Sequence, residues 1–175
     1  MKLLFYDDFK LGAISGDTVI DLSGAVSDVT YSHPQDLLRQ VIEGFSQYQG
    51  KFEDLIKKGS GVPVSGVRIR PPVPRPNNIV AMAVNYMEDG TREEPAPINA
   101  FHKSSSAIIG SGDSMILPDV KASIFEGEAE LAMVIGKRAT NVRPEDAYDH
   151  IFGYLNFIDG SARGLPPEAN SFYQM

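Results

Sequence analysis

The sequence predicts an α+β fold rich in β-structure, and three observations carry that prediction. Short apolar runs bounded by turn residues recur along the chain, two segments space apolar residues at helical intervals, and no internal repeat or low-complexity tract interrupts them. In order, KLLFY, KLGAIS and TVIDL read as three strands of a meander or hairpin pair, separated by Asp7-Asp8 and by Ser15-Gly16-Asp17. HPQDLLRQVIEGF and SQYQGKFEDLIKKG read as helices, with Leu37, Leu38, Val41 and Ile42 on one stripe, Phe52, Leu55 and Ile56 on another, and Gly44 and Gly59 as C-terminal stops. RPPVPRP follows; its prolines fix φ and remove backbone donors, so it is expected to connect a small N-terminal lobe (residues 1–70) to a main domain (71–175).

The main domain is expected to begin with a buried strand, NNIVAMAV, that ends at a long polar loop, NYMEDGTREEPAPIN. AFHKSSSAIIG, a turn at SGD, a strand at SMILP and the strand EAELAMVIG come next. A helix opening at Pro144 and a strand, GYLNFID, complete the reading.

Composition narrows the partners. With 16 Lys+Arg against 23 Asp+Glu the net charge is −7, and no basic run is available to neutralise a phosphate backbone, so nucleic acid is not expected as a partner. The absence of cysteine removes disulfides, zinc–thiolate sites and thiol nucleophiles, leaving oxygen or imidazole for any metal. No apolar run approaches the roughly 20 residues that span a bilayer, and the N-terminus lacks a signal-like apolar region, so a cytoplasmic location without membrane association is expected.

The segment FEGEAELAMVIGK (Phe125–Lys137) carries the chemistry. In an extended strand side chains alternate faces, so Glu126, Glu128 and Glu130 share one face, with neighbouring carboxylates starting about 6.6 Å apart. The apolar residues that follow predict a strand buried on both faces, with the charges at the boundary. Asp159 is expected to end the strand YLNFID as a further carboxylate, before the small residues Gly160, Ser161 and Ala162. Like charges gathered near a core repel and lose hydration unless a cation intervenes, and an all-oxygen donor set suits Mg²⁺, Mn²⁺ or Ca²⁺.

EAELAMVIGK, NAFHKSSSAIIGSGDSMILP and IFGYLNFIDGSARG together resemble the fumarylacetoacetate hydrolase family, which carries Glu-x-Glu and, some thirty residues later, Asp-x-Ser-Ala-Arg. The resemblance covers about residues 71–163. It implies a mixed β-roll of that family's type, usually dimeric, with Mg²⁺ or Mn²⁺ held by Glu128, Glu130 and Asp159, and Glu126 outside the ligand set. It also implies 2-oxo acid or β-dicarbonyl substrates of the acylpyruvate type. The reaction would proceed through a metal-stabilised enolate, most directly C–C bond hydrolysis, with decarboxylation and keto–enol isomerisation as alternatives and a non-catalytic metal and carboxylate binder as an alternative of another class. Substrate contacts are assigned to Tyr86, Lys103 and Arg163; a lysine suits a point charge and an arginine a bidentate fork.

The chain departs from the family pattern in three places. Family hydrolases place a histidine after the Asn-Tyr pair, where this chain has Asp89, so Glu88 and Asp89 become the acid/base candidates together with Lys103. His102 is expected on the strand face opposite Lys103, and His33 and His150 in structural roles. After Arg163 the chain reads GLPPE rather than the family's Asp and Gln, and it ends before the family's Lys-Ser-x-Asp-Thr segment, which predicts a fragment of a longer protein.

Overall fold

A computed structural model describes residues 1–85 and 93–166. The chain forms two compact units, Met1–Leu38 with Gln49–Asp113, and Arg39–Tyr48 with Ser114–Met175.

The first unit holds a five-stranded antiparallel sheet in the order β4-β3-β2-β1-β5, built from β1 (Lys2–Tyr6), β2 (Lys10–Ser15), β3 (Thr18–Asp21), β4 (Val62–Pro63) and β5 (Ile69–Arg70). Of the two expected arrangements the meander is present, with β1 to β3 joined by tight turns. Pro63 lies on an edge strand, where a missing N–H interrupts no ladder on its outer side. Leu4, Tyr6 and Val19 form a buried cluster, with Ile14, Val64, Val67 and Ile69 packed against it. Tyr6 is 5% exposed, and its ring lies over Gly12, where an added Cβ would stand 3.0 Å from the ring. The missing side chain at Gly12 lets the Tyr6 hydroxyl hydrogen bond Asp21 on β3.

Helices α1 (Pro34–Glu43) and α2 (Phe45–Lys58) occupy the predicted segments. Their stripes bury Leu37, Leu38, Val41 and Phe52, each worth about 1.5–3 kcal/mol of transfer free energy. Gly44 stands between the helices, and Gly59 ends α2 at φ 69°. In the proline-rich connector, the Arg75 amide donates to Gln35 Oε1 (2.9 Å). β6 (Ile79–Met82) pairs antiparallel with β7 (Ala100–Lys103). The expected buried strand at β6 is instead half covered, with Val80 58% exposed, since β7 is its sole strand partner among the described residues.

In the second unit, β8 (Ile124–Ile135) and β9 (Ile151–Arg163) form a long antiparallel ribbon. The register runs from Ile124 opposite Arg163 to Val134 opposite Gly153, with an irregularity between Val134 and Ile135. The connection ends in a 3-10 helix at Pro144–His150 where the sequence predicts a helix; Arg143 bonds Asp146 across its start (2.8 Å), and the Gly136 amide donates to the His150 carbonyl (2.8 Å). Phe45 and Phe152 meet edge to face with centroids 5.0 Å apart.

Three local expectations change. SMILP is not a strand: Met115 in that segment lies against Gly160, where an added Cβ would stand 3.0 Å from its sulfur. Asp159 does not end a strand, because pairing with β8 carries β9 on through Gly160, Ser161 and Ala162 to Arg163. Nor is β8 buried on both faces. Leu131 and Met133 lie on an open face with Tyr154 and Ile158 of β9, all more than half exposed.

Candidate metal centre

The β8–β9 register assembles the acidic face. Glu128 stands directly opposite Asp159, Glu126 opposite Ser161 and Glu130 opposite Phe157. Directly opposed Cβ atoms are about 4.5–5.5 Å apart and diagonal neighbours about 7–8 Å, so Glu128 and Glu130 both begin within side-chain reach of the Asp159 carboxylate. The three residues singled out as ligands thus share one face of one ribbon, brought there by two segments thirty residues apart.

Burial grades along this face. Asp159 is 4% exposed and Ser161 6%, whereas the three glutamates are half-buried. Asp159 takes part in a polar interaction, and its Oδ1 is sealed from solvent and accepts no hydrogen bond from the described residues. A buried carboxylate oxygen in that state costs free energy unless a positive group reaches it.

Arg163 is a positive group that reaches this face. From opposite Ile124 its guanidinium reaches back along the ribbon, Nε donating to Glu126 Oε2 (2.7 Å) and Nη2 donating to Glu128 Oε1. The hydrogen bond to Glu126, supported by attraction to Glu128 and Glu126 and opposed by burial, holds the guanidinium pKa above its ordinary value. Arg163 is followed by Gly164 at φ 64°, a left-handed conformation that an L side chain rarely takes; a Cβ there would also collide with Ser123 Oγ. The Ser123 amide donates to the Arg163 carbonyl (2.7 Å), so this glycine fixes where the arginine leaves the strand.

The donor chemistry and the backbone register suit a hard divalent cation: three carboxylates, one face, no sulfur. The side chains stand otherwise. Among the described residues no three carboxylate or imidazole groups converge to cage an ion, and Glu128 is turned to Arg163. Formally, Glu126, Glu128, Glu130 and Asp159 carry −4, and Arg163 reduces this to −3.

The remaining candidates are distributed as follows. Lys103 is the last residue of β7, in the other compact unit, with its ammonium 5.6 Å from the centroid of the Phe101 ring. His102 is exposed and, as the neighbouring position on that strand, faces the side opposite Lys103. His150 Nδ1 is buried and makes no hydrogen bond with the described residues. Tyr86, Glu88 and Asp89 lie outside the described residues. Sequence reasoning set Glu126 aside; the structure makes it the anchor of Arg163, and the i, i+2 spacing from Glu128 was the available signal. Ser161, buried opposite Glu126, is a further residue of this face.

Residues 77–175 match the family described as fumarylacetoacetate (FAA) hydrolase C-terminal. The chain is 30% identical over 188 residues to a maleylpyruvate hydrolase of Aquipseudomonas alcaligenes, an alignment covering 98% of this chain and 64% of that protein. It is 36% identical over 116 residues to the oxaloacetate tautomerase YisK of Bacillus subtilis, covering 63% of this chain and 38% of the relative. The crystal structure of a maleylpyruvate hydrolase from Sphingobium sp. SYK-6, in complex with manganese(II) and pyruvate, superimposes with a TM-score of 0.82 at 32% identity. It matches 94% of this chain and 60% of its own length. The chain therefore spans less than two thirds of the length of each of these relatives. By the match over residues 77–175, the chain belongs to the fumarylacetoacetate hydrolase family, with that family's α+β fold.

Proposed function

We propose that this chain is the metal-holding part of an enzyme acting on acylpyruvate-type 2-oxo acids or β-dicarbonyl acids, with Glu128, Glu130 and Asp159 as ligands to Mg²⁺ or Mn²⁺. The observation that carries the reading is the register: Glu128 opposite Asp159, with Glu130 two residues along the same face. Support comes from the complex that the related Sphingobium maleylpyruvate hydrolase forms with manganese(II) and pyruvate. When bound, such an ion supplies Lewis-acid polarisation of chelated substrate oxygens.

The other residues then have separable tasks. Arg163 offers a planar fork for the substrate carboxylate, and Lys103 a point charge for a carbonyl oxygen. Tyr86 is a candidate substrate contact, and Glu88 and Asp89 are the candidate proton carriers. A lid carboxylate works as general base only if its pKa is raised toward neutrality.

The reaction we favour is hydrolysis of a C–C bond, after the maleylpyruvate hydrolases. Keto–enol isomerisation is the second reading, favoured by Asp89 at the position of the family hydrolases' histidine and by the tautomerases among the relatives. The 64% coverage makes the assay one for the whole protein, which we expect to work as a homodimer in the cytoplasm. Among the described residues no helix is long and apolar enough to cross a membrane. Incubating the protein with Mn²⁺ and either an acylpyruvate or oxaloacetate, and following the enol absorbance and the products by NMR, separates the readings. Cleavage products support hydrolysis, enol–keto exchange alone supports the isomerase, and metal binding without turnover of any oxo acid would leave only a binding protein.

A further inference from the structure

Arg163 and Glu128 are joined in this structure, yet the proposed function asks both to be elsewhere, one on substrate and the other on the ion. We propose that Arg163 is a built-in counter-cation, a latch that neutralises Glu128 until a divalent ion displaces it, and that Glu126 is the positioning residue that keeps it at hand. This inference rests on the metal reading above.

The geometry supplies the parts. Glu126 and Glu128 stand two residues apart on one face, the spacing that lets a single guanidinium bond both, through Nε and Nη2. The two contacts are not equivalent. Glu128 faces the buried Asp159, whereas Glu126 faces the neutral Ser161. Cation entry between Glu128 and Asp159 therefore competes with the Nη2 contact, and the Nε contact to Glu126 can persist as a pivot. A guanidinium so held leaves its Nη groups for an incoming carboxylate beside the ion.

Charge favours the exchange. A divalent ion brings two positive charges to Glu128 and Asp159 without the arginine leaving Glu126. Neither arm of the fork is deeply buried: the side chains of Arg163, Glu126 and Glu128 are 49%, 40% and 33% exposed. The ion pairs are accordingly weak enough to open.

The distinguishing experiment measures Mn²⁺ affinity of the full protein by electron paramagnetic resonance, in wild type and in Arg163→Gln, Arg163→Lys and Glu130→Gln. Losing a charge-assisted competitor should tighten Mn²⁺ binding about tenfold in Arg163→Gln. Arg163→Lys keeps the charge but cannot fork, so it should tighten binding by a smaller factor, about threefold. Glu130→Gln should lose binding. If Arg163→Lys matches wild type, the arginine acts through its field alone and the latch is wrong, whatever Arg163→Gln does. If neither arginine variant differs from wild type, the latch is wrong while the metal site stands. If no protein in the set binds Mn²⁺, the metal reading fails and the latch with it.

Discussion

Asp159 decides the site, because it is the carboxylate that the fold buries. At 4% exposure it cannot recover its hydration, and the register sets Glu128 against it. A cation shared by Glu128, Glu130 and Asp159 would bind the folded state only, and at a concentration 100 times its dissociation constant it adds about 2.7 kcal/mol. For a chain of this size that corresponds to a rise in Tm of about 5–11 °C. Thermal denaturation with and without Mg²⁺ should show the rise in wild type and lose it in Glu130→Gln and Asp159→Asn. Glu126→Gln should retain most of it, since Glu126 faces Ser161 and holds Arg163. Equal loss in all three variants would contradict the ligand assignment. The glutamate spacing and the Arg163 position were legible in the sequence. The Arg163 fork was not, since nothing along the chain says which of several carboxylates a guanidinium thirty-five residues away will select.

Element by element, what could be read was whatever local periodicity determines. The meander, both helices and the glycine stops follow from the spacing of apolar and turn residues. What escaped was set by pairing. Gly160-Ser161-Ala162 has the composition of a turn, yet it continues β9 because β8 supplies partners as far as Ile124. SMILP has the composition of a strand, yet among the described residues no strand pairs with it. The β8–β9 ribbon also inverts the usual amphipathic rule, with its carboxylates on the more covered face and Leu131, Met133 and Ile158 on the open one. In the N-terminal sheet, burial and the hydrogen bond to Asp21 push the Tyr6 phenol up to about 12 from an ordinary 10. The folded state holds that proton more tightly than the unfolded chain does. Its contribution is therefore complete below pH 10 and is lost as pH rises from 10 toward about 12. Denaturation midpoints across that window should fall more steeply for wild type than for Tyr6→Phe, and parallel curves would refute the buried hydrogen-bonded phenol.

For the molecule as a whole, fold class and family were readable because the three motif blocks survive in order, and the profile match over residues 77–175 agrees with them. Acid/base assignment was less so, because Asp89 stands where the family's hydrolases place a histidine and a carboxylate there needs a raised pKa to serve as base. The whole account depends on one ion lying between two strands. Crystals of the full protein soaked in Mn²⁺ and measured at the manganese absorption edge test this directly. The account predicts a single anomalous peak bounded by Glu128, Glu130 and Asp159, with Arg163 withdrawn from Glu128. A face that stays without a peak, with Arg163 still joined to Glu128 at saturating Mn²⁺, would contradict it.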